Sequence, residues 1–70
     1  MKQNPMTKTT LEFVTIAEAR AHFLKQGFNT IDIETDSCIM TKHSNGVKVG
    51  EVIINKEGFM KVSAELITTA

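Results

Sequence analysis

Residues 41–59, TKHSNGVKVGEVIINKEGF, carry two turn signals with one strand between them. The triplets SNG at 44–46 and KEG at 56–58 each offer glycine where a three-residue hairpin loop takes a left-handed residue. Asn45-Gly46 alone would also serve as a two-residue turn, which slips the preceding strand by one position. Between the turns, VKVGEVII has apolar residues on both parities. A sheet with one wet face buries only alternate residues, so this strand asks what covers its second face.

The same period of two continues on either side. TIDIE (30–34), SCIMTKH (37–43), VKVGEVIIN (47–55) and FMKVSAEL (59–66) read as four strands joined by turns at 35–36, 44–46 and 56–58. A helical period precedes them. Thr15 and Glu18 fit a capping box, Gly27 suits a left-handed stop, and Phe28 is placed to fold back on Phe23. The spacing therefore predicts a helix over 16–26. Residues 10–14 (TLEFV) alternate as a candidate extra strand, and residues 1–9, polar and containing the sole proline, read as a flexible tail. The expected fold is α+β and two-layered, with one N-terminal helix packed on a four-stranded antiparallel meander, in a single small domain over 10–70.

Register divides the side chains. Three-residue loops at both hairpins pair Val52 with Val62, Ile54 with Met60, Gly50 with Ala64 and Cys38 with Val52. A two-residue loop at 35–36 pairs Ile33 with Cys38 and Ile31 with Met40. One face then collects Ile31, Ile33, Cys38, Met40, Val52, Ile54, Met60, Val62, Ala64 and Leu66 as the core under the helix. The other face is left with Ile39, Val49, Ile53 and Phe59 among Asp32, Glu34, Thr41, Glu51, Lys61 and Glu65. The slipped register would exchange Cys38 and Met40 for Ile39. On the helix, Ile16, Ala17, Ala19, Ala21, Phe23 and Leu24 span an arc of roughly 200°, wider than a surface helix needs. Arg20 falls inside that arc, either snorkelling its guanidinium to water or meeting a carboxylate across an interface.

Seventy residues make one domain, and so short a chain buries only about 60% of its unfolded surface. The lone Cys38 excludes an internal disulfide, and His22 and His43 are too far apart for paired zinc spacing, so no metal and no cofactor is expected and self-association is the remaining source of stability. Eight basic and eight acidic residues cancel, which argues against a strong field for nucleic acid or an anionic membrane. With neither a signal-peptide core nor a membrane-length apolar run, the sequence reads as cytoplasmic.

Chemistry is sparse. Cys38 has no base beside it and reads as a small core hydrophobe. His22 and His43 read as solvated, and Asp32, Glu34 and Asp36 lack the glycine and closing glutamate of a calcium loop. Gly50 marks either a bulge, a close backbone approach or relief of crowding under the helix. No triad, nucleophile elbow or phosphate-binding glycine pattern is present, so the expectation is a non-enzymatic protein. The leading functional expectation is a protein-interaction module, a homodimer that acts as regulator or inhibitor of another, unidentified protein of the kind viruses and mobile elements encode. Its contact residues would be Arg20, Ile39, Val49, Ile53, Phe59 and Lys61. The alternatives are nucleic-acid contact through Lys42, His43, Lys48 and Lys56, against which stands a set of four phenylalanines with no tyrosine or tryptophan, and a dimer that sequesters a small ligand in its seam.

Overall fold

The computed structural model describes residues 6–69. Five strands and one helix follow in the order β1 (Met6–Phe13), α1 (Ile16–Leu24), β2 (Asn29–Ile33), β3 (Ser37–Ser44), β4 (Val47–Gly58) and β5 (Lys61–Thr69). All five strands lie in one antiparallel sheet of order β1-β5-β4-β3-β2. The meander β2 to β5 is extended by β1, which pairs with β5 at the far edge. Met6–Thr9, expected in a flexible tail, are therefore strand residues; the rest of that tail, 1–5, lies outside the described residues. Leu11 opposite Ala64 and Phe13 opposite Val62 anchor β1 on the core side.

The helix forms where its caps dictate. The Glu18 amide donates to Thr15 Oγ1 at 3.0 Å, and the Glu18 carboxylate accepts from the Val14 amide at 3.0 Å, one residue earlier than in the usual box. At the other end the Phe28 amide reaches the Phe23 carbonyl and the Gly27 amide the Leu24 carbonyl, both at 3.1 Å, with Gly27 at φ +96°. These are the two bonds of a Schellman ending, and Phe28 does fold back on Phe23, their ring centroids 5.5 Å apart edge to face. The tightened last turn leaves residues 25–26 outside the regular helix.

The helix crosses one face of the sheet. Its Ala19 and Phe23, together with Phe28, Cys38, Met40, Val52, Ile54, Val62 and Ala64, form the core, with Leu11, Phe13, Ile16 and Leu66 packed at its margin. Only this narrow stripe is seated, and Ala17, Ala21 and Leu24 of the wider apolar arc stay exposed.

Both hairpin registers differ from expectation, yet the core side of the meander is almost unchanged. The β3–β4 turn is the two-residue Asn45-Gly46, at φ +53° and +81°, with Ser44 opposite Val47. A bulge between Lys42 and His43 then restores the parity, so Cys38 and Met40 face the core opposite Ile54 and Val52. In the β4–β5 hairpin the strand runs on to Gly58 and the turn is Phe59-Met60, and a bulge between Lys56 and Gly58 then sets Ile54 opposite Ala64 and Val52 opposite Leu66. This shift is even, so no side chain of the paired region changes face. It does move Phe59 off the sheet face and Met60 out of the core to the hairpin tip.

β2 breaks the pattern. Ile33 pairs with Cys38 as expected, but a bulge between Thr30 and Asp32 puts Thr30 rather than Ile31 opposite Met40. Ile31 and Ile33, expected in the core, are 63% and 57% exposed, because β2 is an edge strand whose outer flank no element covers among the described residues. Gly50 is explained by proximity: a Cβ there would lie 3.1 Å from Phe28 Cζ, so the Phe28 ring rests directly on the backbone of β4.

Candidate functional site

Among the described residues, two regions of apolar surface are left without a partner. The first is the outer face of the sheet. Ile39 and Ile53 stand directly opposite one another on β3 and β4, and Ile67 lies on β5 opposite Glu51. All three are half-buried among their neighbours, with Glu65 opposite Ile53 and Thr41 opposite Glu51. The helix packs on the other side, and no element among the described residues lies over this face. Val49, the extra residue of the β4 bulge, is half-buried beside it. Ile67 escapes sequence reasoning because the fourth strand of the meander is expected to end at Leu66. Its parity with Glu65 is the signal that would have found it.

The second region is the end of the molecule at which β1 and β4 finish and β5 begins. Phe59 is 91% exposed and Met60 60% exposed at the hairpin tip, and Val14, after β1, is 44% exposed. With Ile16, Lys56 and Val62 these residues line a cleft of about 320 Å³. Thr15, the helix N-cap, and Thr35, in the β2–β3 turn, complete its rim. The β2–β3 turn is held against β4 by the Lys56 amide, which donates to the Asp36 carbonyl at 2.9 Å. The Ser63 hydroxyl donates to the Glu57 carboxylate at 3.0 Å, bracing the hairpin stem. Met60 is held at φ +58°, a region that non-glycine residues enter at a cost of roughly 1–2 kcal/mol. The turn thus spends conformational energy to keep a phenylalanine and a methionine side by side in solvent.

The other expected contact residues scatter. Arg20 is half-buried on the helix side, where its Nε donates to Thr30 Oγ1 at 3.1 Å, so its guanidinium is engaged with β2 of its own chain. Lys61 is exposed at the start of β5, opposite Gly58. The basic residues do not converge. Lys42 lies over the Phe28 ring with Nζ 5.9 Å from its centroid, and Lys48 pairs with Glu51 at 2.7 Å. His43 sits near the Asn45-Gly46 turn, whereas Lys56 lines the cleft at the opposite end of β4, roughly 27 Å from Lys48 at the rise of an extended strand.

Cys38 is fully buried, as expected of a core residue. Burial pushes its thiol above the ordinary value of 9.0, a rise opposed in part by the Arg20 charge and a Thr30 hydrogen bond and assisted by Asp32. A thiol held protonated in the core is a poor nucleophile. His22 accepts a hydrogen bond from Gln26 Nε2 at 3.0 Å and packs on the Phe13 ring at a centroid distance of 5.3 Å. Among the described residues, no three His, Cys, Asp or Glu side chains are gathered to hold a metal ion, and no helix is long and apolar enough to cross a membrane. Comparison with protein-family models, with curated proteins and with solved structures finds no match for this chain.

Proposed function

We propose that the protein is a small binding module that regulates or inhibits another protein by docking the apolar end built from Val14, Phe59 and Met60. The observation that carries this reading is the almost complete exposure of Phe59 beside a left-handed Met60, at the rim of an apolar cleft. A phenylalanine in water forfeits roughly 1.5–3 kcal/mol that burial would return, and a strained turn adds to that cost. The burial term is recovered when a partner covers the tip, and large aromatic anchors of this kind dominate binding energy at protein interfaces. Lys56 at the rim adds a charge that favours an acidic group on the partner.

The test is quantitative capture from a lysate on immobilised protein, comparing wild type with Phe59→Asp, Met60→Gly and Lys48→Ala. The expected result is a protein retained by wild type and by Lys48→Ala in moderate salt and lost from Phe59→Asp. Met60→Gly keeps the fold and relieves the turn, so its weakened retention would report lost contact rather than lost structure. Equal retention by all four proteins overturns the reading. Retention that collapses with salt and with Lys48→Ala would instead favour phosphate contact.

A further inference from the structure

We propose that the free edge of β1 is a self-pairing surface: two copies join antiparallel through Met6–Phe13 about a two-fold axis at Thr10, giving a continuous ten-stranded sheet. The two sheet edges are built differently. β2 is short, at five residues, and is interrupted by the bulge at Ile31, a device that spoils edge-to-edge pairing. β1 spans eight residues and pairs with β5 in unbroken register from Met6 to Phe13, so its outward row of amides and carbonyls is straight and regular. An edge of that length, neither bulged nor covered by another element among the described residues, is a template for another strand.

Charge then selects the strand and the register. Backbone groups along β1 turn alternately toward β5 and away from it, and a two-fold pairing must set the outward-turned residues opposite one another. Only registers centred on a residue do so. Centring on Thr9 sets Lys8 opposite Thr10, and centring on Leu11 sets it opposite Val14. Centring on Thr10 places Lys8 opposite Glu12 of the second copy, and by symmetry Glu12 opposite its Lys8. Lys8 and Glu12 lie on the same face of the sheet, facing Ile67 and Ser63 of β5, so both ion pairs form on the outer side at directly opposed positions. On the helix side the same register opposes Thr9 to Leu11 and Thr7 to Phe13. Among the described residues Glu12 has no ion pair of its own, and Lys8 reaches only Glu65 at 3.5 Å with both side chains largely in solvent.

Self-pairing at β1 does not depend on the Phe59 end, so Phe59→Asp is expected to leave it intact and the two proposals fail separately. Two measurements test it. In sedimentation at high micromolar concentration, wild type is expected to dimerise, and Lys8→Glu or Glu12→Lys alone to weaken the dimer about tenfold, since each opposes like charges twice. Mixing the two single variants restores opposite pairs and is expected to give a heterodimer of wild-type strength, an outcome that loss of the Lys8–Glu65 pair cannot mimic. In the second, Thr10→Cys is expected to form an intermolecular disulfide under mild oxidation, because opposed Cα atoms at about 4.5–5.5 Å fall within disulfide range. Thr35→Cys, exposed in the β2–β3 turn and off the β1 edge, is the control, and the buried Cys38 contributes no background. Wild type that stays monomeric, a mixture no tighter than the single variants, or Thr10→Cys that couples no faster than Thr35→Cys overturns the proposal.

Discussion

Gly50 and Cys38 show how single positions set the core. The Phe28 ring, itself buried, presses on Gly50, and a methyl group there would meet two ring carbons at 3.1 and 3.2 Å. Gly50→Ala is expected to cost about 1–3 kcal/mol as an overpacked core, read as a fall in Tm of several degrees for a domain this size. Cys38 gives a pH signature. Its folded pKa is raised by burial, so above pH 9.0 the unfolded chain has released a proton that the native chain still holds. Unfolding then releases protons, and stability falls as pH rises through that window, while below pH 9.0 the contribution is constant. Urea titrations from pH 7 upward are expected to show a steeper alkaline decline for wild type than for Cys38→Ala, whatever the absolute stability of the variant. Sequence spacing alone placed Cys38 in the core, because parity is a local property. It left open how Gly50 acts, because the ring that rests on it comes from Phe28, in the segment between α1 and β2.

At the scale of the element, what the sequence conveyed follows how far each signal reaches. The ends of α1 were legible because Thr15, Glu18, Gly27 and Phe28 act within one turn of the residues they satisfy. The β2–β3 pairing of Ile33 with Cys38 was legible for the same reason. β4 shows the opposite case. Asn45-Gly46 takes the tight turn, which taken alone slips β3 and turns Cys38 and Met40 outward, and the extra residue at Val49 cancels the slip. A bulge has no composition signature, so the turn and the core could not both be read correctly from the strand pattern. Deletion of Val49 is expected to set turn against core and abolish the cooperative thermal transition; a variant that melts like wild type would refute the role given to the bulge. β1 was illegible as an edge partner of β5 because that pairing joins opposite ends of the chain, and only tertiary contact decides it.

The whole molecule is a single sheet with a lopsided cover. Its longest dimension is 44 Å, whereas the nine residues of α1 extend about 14 Å at the helical rise. So small a helix shelters the middle of one face and leaves the outer face and the Phe59 end to solvent. The alternation in VKVGEVII foretold this, since Ile53 could not share a face with Val52 and Ile54. What alternation could not foretell is that the most exposed of the large apolar residues described, Phe59, belongs to a turn and not to a face. Apolar side chains project from both sides of the layer, and among the described residues only one side is covered. This asymmetry is read by the reaction rate of the thiol in Ile53→Cys with a water-soluble thiol reagent, set against the rate of Cys38 in the same native protein. Modification at position 53 is expected in the native state, much faster than global unfolding allows, and modification of Cys38 only as fast as the protein unfolds. A position 53 thiol as protected as Cys38 would mean that the outer face is covered, and that the sheet does not have an open side.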